Sequence, residues 1–196
     1  LIRAVAAVNP RTIVVYVGGT PIDCRAWIDS VPALVCAWYP GEDGGDALAD
    51  ILFGDVNPSG KLPMSWPLEL DDVQARKDYP GDSVRVRYAE GLLVGYRDFD
   101  ANNKTVQYPF GHGLSYTSFE YSDASVAHDG SNVVAECTVR NTGDRDGRET
   151  VQVYVSDPES DLPRPPQELK AFCKISLRPG EQKRVKLVLG PESFSY

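Results

Sequence analysis

Two short apolar runs decide the fold of the first part of the chain: Thr-Ile-Val-Val-Tyr-Val at residues 12–17 and Ala-Leu-Val-Cys-Ala-Trp at residues 33–38. Continuous apolar runs rich in β-branched residues are typical of strands buried on both faces of a parallel sheet. Glycine-containing loops follow both runs, and residues 46–53 predict a helix that ends at Gly54. Such strand, loop and helix units imply right-handed crossovers, so the sequence predicts an α/β arrangement here.

The segments beside these runs refine that prediction. Leu1–Val8 is typical of the end of a helix, and Asn9-Pro10 stops it. The N-cap of the second helix is expected at Asp46 or at a glycine before it. The polar stretch Leu68–Gly81 is flanked by prolines and predicts a long surface loop.

A different pattern begins at about residue 118. Short alternating strands separated by turn residues follow one another, which is typical of an antiparallel β-sandwich of immunoglobulin or fibronectin type. Such a sandwich needs about seven strands, and about five are recognisable, so we expect it to lack its last strand or strands. The strands are expected at Phe119–Ala127 and at residues 133–139, 151–155, 169–177 and 185–189.

The change of pattern predicts two domains, at residues 1–117 and 118–196. The expected fold class is α/β followed by all-β. The first domain would contain buried parallel strands, and the second would be an incomplete fibronectin III-like β-sandwich. Two outward-facing rings of the second domain, Tyr154 and Phe172, are expected to be buried at the seam between the domains.

Composition narrows the class of partner. The chain has 196 residues, 42% hydrophobic and 24% charged, and a formal net charge of -8. These fractions are ordinary for a soluble globular protein, and the acidic balance disfavours nucleic acid and anionic membranes as partners. No apolar run approaches the roughly 18 residues of a membrane span, and the opening lacks the pattern of a signal peptide. The sequence does not identify the cellular compartment of the protein.

Cysteine and histidine usage gives no sign of a metal or redox site. The four cysteines form no C-x-x-C motif, and the chain has only two histidines. The sequence therefore predicts no metal site and no cofactor. Cys137 and Cys173 both fall on predicted inner faces, and whether they pair cannot be decided from the sequence.

Three motifs stand in order along the chain and together suggest a family. They read Ala-Trp-Tyr-Pro-Gly-Glu-Asp-Gly-Gly-Asp-Ala-Leu-Ala-Asp-Ile-Leu-Phe-Gly at residues 37–54, Asn-Pro-Ser-Gly-Lys-Leu-Pro-Met-Ser-Trp-Pro at residues 57–67, and Tyr-Pro-Phe-Gly-His-Gly-Leu-Ser-Tyr-Thr-Ser-Phe at residues 108–119. This set resembles the latter part of the second domain, an α/β sandwich, of family 3 glycoside hydrolases of the β-glucosidase type. The stretch after it resembles the fibronectin type III-like domain of that family.

The resemblance implies retaining hydrolysis of terminal β-D-glucosyl residues. That chemistry needs two carboxyl groups about 5–5.5 Å apart. In the family, the nucleophile is an Asp of an N-terminal barrel, and the acid/base is a Glu of the second domain, upstream of the helix whose end is expected at Leu1–Val8. Neither has a counterpart in this chain. The resemblance therefore implies a scaffold and active-site wall that is inactive alone, with a β-glucoside or oligosaccharide substrate and the barrel domain as partners.

Three residues are weak candidates for substrate binding. Glu42 and Asp43 lie in a loop after a buried strand, where open α/β sheets border ligand crevices. In one interpretation their carboxylates lie near a sugar-binding site or a domain interface. In the other they are solvated acids that cap the following helix. Trp66 is either a stacking platform for a sugar or a packing residue at a strand edge.

His112 and residues 16–21 also bear on the function. His112, between two glycines, has no visible catalytic partner and is expected to be a turn residue packed against the next domain. Many relatives have Asn-Gln-Ser-Gly-Thr-Pro where residues 16–21 read Tyr-Val-Gly-Gly-Thr-Pro, so contacts made by those amides are in doubt. A non-catalytic carbohydrate- or protein-binding module is the alternative function.

Overall fold

The computed structural model describes residues 1–82 and 84–195. Tyr196, the last residue of the predicted second domain, lies outside the described residues. Helices and small sheets alternate up to residue 108, and five antiparallel strands follow from residue 119. The regular elements are α1 (Ile2–Val8), β1 (Ile13–Val17), β2 (Ala33–Trp38), α2 (Gly44–Phe53), β3 (Trp66–Pro67), α3 (Tyr96–Ala101), β4 (Val106–Tyr108), β5 (Phe119–Asp129), β6 (Asn132–Asn141), β7 (Gly147–Val155), β8 (Glu168–Leu177) and β9 (Gln182–Leu189).

The first two strands pair in parallel, as predicted. Their register runs from Ile13 opposite Ala33 to Tyr16 opposite Cys36 and then shifts by one residue. The prediction that both are buried is wrong: Ile13 and Val17 are 45% and 58% exposed, and all of β2 is only half-buried. The sheet has two strands in the described part of the chain, so no described strand covers its outer edges.

The three α-helices of the described residues are short. α1 ends at Val8 as predicted, and its apolar side chains remain exposed at Leu1, Val5 and Val8. α2 ends at Gly54, whose φ of 85° places it in the left-handed region that favours glycine. Within residues 1–82 and 84–195, no helix has the length and apolar character needed to cross a membrane.

The start of α2 differs from the prediction. The helix begins at Gly44 with Asp43 as N-cap, and the side chain of Asp43 makes no capping hydrogen bond. Gly44 is buried against Pro40, where an added Cβ would come within 2.6 Å of the proline ring. The chain therefore enters the helix at this close contact, two residues before the expected position.

The five strands from residue 119 form two antiparallel sheets. One has the order β5-β6-β9, and the other pairs β7 with β8. Four buried side chains from both sheets make one core cluster, and the free thiols of Cys137 and Cys173 are half-buried beside it. The cluster consists of Val139, Val151, Leu177 and Val185.

A buried asparagine fixes the turn after β6. Asn141 is fully buried, and its Oδ1 accepts hydrogen bonds from Thr117 Oγ1 at 2.6 Å and from the amide of Gly143 at 3.1 Å. Its Nδ2 donates to the carbonyl oxygens of Arg145 at 2.7 Å and Leu177 at 3.1 Å. Since buried amides must be paired, this side chain holds the turn between the two sheets in place.

Candidate functional site

The loops that follow β1 and β2 lie at one edge of the α/β part. Because the strands are parallel, their carboxyl ends meet there. The amide of Gly18 donates to the carbonyl of Trp38 at 3.1 Å, which continues the pairing by one residue. The hydroxyl of Tyr16 donates to the carbonyl of Thr20 at 2.7 Å and holds the first loop closed.

The first loop packs tightly against the second. A Cβ on Gly19 would stand 2.8 Å from Cε2 of Tyr39, so a larger residue there would require the tyrosine ring to shift. Tyr39 itself is 78% exposed. The described contacts of this loop are made by main-chain groups and by tyrosine side chains.

Glu42 and Asp43 project from this edge into solvent. Both are exposed in the turn that leads into α2, and the carbonyl of Asp43 accepts the amide of Ala47 at 3.1 Å. Among the described residues, neither carboxylate has a hydrogen-bonding or ion-pair partner. Both are therefore available to a ligand or to another part of a larger protein.

Trp66 lies in the interior, and the structure does not bring it beside the two acids. It is 1% exposed, with its ring centroid 6.0 Å from that of Tyr16 and 5.7 Å from that of Tyr108, both edge-on. An indole this buried offers no face to a sugar in this structure. Its contact with Tyr16 instead supports the ring whose hydroxyl closes the Gly18–Thr20 loop.

His112 forms part of a packed turn. Its ring stacks on Tyr108 with centroids 4.9 Å apart, and its carbonyl accepts the amide of Leu62 at 2.8 Å. Burial, with a smaller contribution from the positive charge of Lys61, lowers the pKa of His112 from its ordinary value of 6.5. The imidazole is therefore neutral at neutral pH, which agrees with a packing role.

Polar contacts join the α/β part to the β part at a seam, and the residues that make them were not predicted from the sequence. Lys61 forms an ion pair with Glu149 at 3.2 Å, and Arg97 forms one with Glu168 at 3.1 Å. The amide of Leu169 donates to the hydroxyl of Tyr96 at 2.8 Å. These partners lie more than 70 positions apart along the chain, so no local pattern announces them.

The prediction for the two outward-facing rings of the β part is half right. Tyr154 is half-buried at the seam, and its ring meets that of Tyr96 edge-on at 6.1 Å. Phe172 is 67% exposed, so its predicted burial is wrong. The α/β part contacts the start of β8 at Glu168 and Leu169, and Phe172 lies beyond those contacts.

Comparisons with known proteins place the chain among the glycoside hydrolases. The sequence profile of the glycosyl hydrolase family 3 C-terminal domain matches residues 1–116, which is more than half of the chain. The profile of the fibronectin type III-like domain matches residues 149–196. The chain therefore belongs to glycosyl hydrolase family 3.

Curated relatives resemble the chain along its whole length. The thermostable beta-glucosidase B of Acetivibrio thermocellus is 46% identical over 200 residues, covering 100% of this chain and 26% of the relative. The exo-alpha-(1->6)-L-arabinopyranosidase of Bifidobacterium longum is 43% identical over 197 residues, again covering 100% of this chain and 26% of the relative. The chain thus spans about a quarter of the length of these relatives.

Solved structures show the same similarity. The family 3 β-glucosidase of Bifidobacterium adolescentis has a TM-score of 0.96 at 40% identity, with 100% of this chain and 29% of that chain covered. The β-glucosidase 3B of Thermotoga neapolitana, solved with glucose, has a TM-score of 0.91 at 38% identity, with 96% and 27% covered. The chain therefore corresponds to a C-terminal segment of family 3 β-glucosidases.

Proposed function

We propose that this chain supplies the scaffold and part of the active-site wall of a retaining β-glucosidase that hydrolyses terminal β-D-glucosyl residues. The observation that carries the proposal is the similarity to β-glucosidases along the full chain, at 46% identity to the relative from Acetivibrio thermocellus. The nucleophile and the acid/base are proposed to come from the remainder of such a longer enzyme, including its barrel domain. The chain alone is then inactive.

The proposed domain organisation follows the change in structure near residue 117. Residues 1–117 would complete an α/β sandwich domain, and residues 118–196 would form a fibronectin III-like β-sandwich. The shared core of the two antiparallel sheets supports the second assignment. The exposed apolar side chains of α1 and β1 support the first, because a completed domain would cover them.

A chimera tests the function directly. The matched 200 residues of the Acetivibrio thermocellus relative would be replaced by this chain, and hydrolysis of p-nitrophenyl β-D-glucopyranoside would be measured. We expect turnover by the chimera and none above background by the chain alone. The parent enzyme is the positive control. A folded chimera without turnover, or clear turnover by the chain alone, would contradict the proposal.

The substrate class needs a parallel assay. The Bifidobacterium longum relative is named for an L-arabinopyranoside rather than a glucoside, at similar identity. The same chimera is therefore assayed on p-nitrophenyl α-L-arabinopyranoside. We expect the glucoside to give the larger kcat/KM, and the reverse order would assign the chain to the arabinopyranosidase group.

Glu42 and Asp43 are the proposed wall residues. Exposure at the carboxyl edge and the absence of partners within residues 1–82 and 84–195 support that role for both carboxylates. In the active chimera, Glu42→Gln and Asp43→Asn should raise KM more than they lower kcat, since wall contacts bind the ground state and the transition state alike. Asp46→Asn, in the first turn of α2, is the matched control. Unchanged KM in both variants would remove them from the site.

A further inference from the structure

A cavity of about 440 Å³ opens on the seam between the two parts of the chain. We call it the seam cavity. Lys61 and Phe110 line it from the α/β part, and Tyr121, Glu149, Gln152 and Gln167 line it from the β part. Its volume falls within the roughly 300–1,000 Å³ typical of small-ligand pockets.

The charged groups of the seam cavity neutralise each other. Lys61 Nζ lies 3.2 Å from Glu149 Oε2, and the two side chains are only 20% and 13% exposed. The hydroxyl of Tyr121 donates to Glu149 Oε1 at 3.0 Å, and Lys61 also donates to the carbonyl of Gly113 at 2.9 Å. A charged ligand would have to break this pairing, so the cavity favours a neutral one.

Two amides in the seam cavity are held at one end and open at the other. Gln152 Oε1 accepts the hydroxyl of Tyr154 at 2.6 Å, and Gln167 Nε2 donates to Asp100 Oδ2 at 2.9 Å. In the part of the chain that the structure describes, Gln152 Nε2 and Gln167 Oε1 have no partner. The lining residues therefore include one donor and one acceptor that have no described protein partner, the pair that a hydroxyl-bearing ligand can use.

Fixed aromatic rings complete the lining. Phe110 packs on Tyr96 with centroids 4.7 Å apart, and Tyr96 meets Tyr154 edge-on at 6.1 Å. Phe110, Tyr154 and Tyr121 all border the cavity. Such rings can pack against the C–H groups of a sugar, and the amides can form hydrogen bonds with its hydroxyls. We propose that the seam cavity binds a neutral pyranose sugar, a property beyond the proposed hydrolysis that rests on this cavity alone.

Saturation-transfer difference NMR on the full chain tests the proposal, with methyl β-D-glucopyranoside as the probe. We expect saturable transfer from the wild-type chain. Gln152→Ala and Gln167→Ala each remove one open hydrogen-bonding group and should weaken binding roughly three- to tenfold. Gln182→Ala, at the exposed start of β9, is the matched control and should bind as the wild type does.

Charged sugars of the same ring size make the test sharper. D-glucosamine and D-glucuronate should bind more weakly than the neutral glucoside, because the lining charges are already paired. Circular dichroism confirms that each variant is folded. The proposal is overturned by a folded chain without saturable transfer, by glutamine variants that bind as the control does, or by tighter binding of a charged sugar.

Discussion

The two parts of this chain bury their side chains in different ways. In the β part, four side chains from two sheets meet in one cluster, and Val139 at its centre is fully buried. In the α/β part, the central pair of strands is only half-buried, and Phe53 at the end of α2 is 84% exposed. The described strands of the β part therefore enclose a common core, whereas the described elements of the α/β part leave large apolar side chains exposed.

The largest expected effect is on the free energy of unfolding, and a matched pair of leucine-to-alanine substitutions measures it. Leu177 in the β part is 2% exposed, and Leu52 in the α/β part is 40% exposed. Leu177→Ala should lower the free energy of unfolding by about 2–5 kcal/mol, because it leaves a cavity in the core. Leu52→Ala should cost less than about 1 kcal/mol. Urea denaturation followed by circular dichroism measures both, and equal losses would break the comparison.

Acid pH should weaken the seam before it affects the β core. Burial opposes ionisation of Glu168, but the hydrogen bond from Arg164 and the charges of Lys170 and Arg97 outweigh it and lower its pKa from the ordinary 4.5. The stabilising effect of the carboxylate is therefore complete above pH 4.5 and is lost as the pH falls through the lowered pKa.

The variant Glu168→Gln isolates that contribution. It should flatten the acid limb of a plot of melting temperature against pH, while Glu159→Gln, at an exposed loop position, should leave the limb unchanged. Intrinsic fluorescence of the tryptophans reports the melt. An unchanged acid limb in the Glu168 variant would show that the seam does not depend on this carboxylate.

The smallest expected effect is that of surface substitutions on self-association of the chain. Val17 at the end of β1 and Val188 in β9 are similarly exposed, at 58% and 54%. Val17→Lys should reduce association of the chain at raised concentration more than Val188→Lys does. Both β1 and β9 are edge strands, but β1 belongs to a half-buried two-stranded sheet, whereas β9 contributes Val185 to a buried core. Sedimentation velocity measures the difference. A wild-type chain that stays monomeric would remove the basis for this expectation.

Local patterns predicted the elements well. The runs at residues 12–17 and 33–38 predicted a parallel pair, and the alternating runs after residue 118 predicted five strands that the structure contains. Both kinds of pattern are formed by residues that are close together in the chain, so they can be recognised in a single sequence. The bounds of α2 were less accurate, because Gly44 joins the helix through its contact with Pro40.

Burial and the site were harder to predict, because they depend on distant residues. The apolar run of β1 indicated burial, but the number of covering strands decides it. For Trp66, the sequence favoured a packing residue at a strand edge over a sugar platform, and its contacts with Tyr16 and Tyr108 place it in the interior. The pairing of Lys61 with Glu149 joins positions 88 apart and has no local signal.

The seam also bears on how freely the β part can change in evolution. Asn57 donates to the carbonyl of Asp146, Arg145 donates to the carbonyl of Gly54, and Tyr96 accepts the amide of Leu169. In each of these hydrogen bonds one partner is a main-chain group. The side chain of the residue that provides this group takes no part in the bond. Substitution of Asp146 or Leu169 would therefore preserve the attachment as long as the backbone path is kept, whereas Gly54 is also restricted by its positive φ.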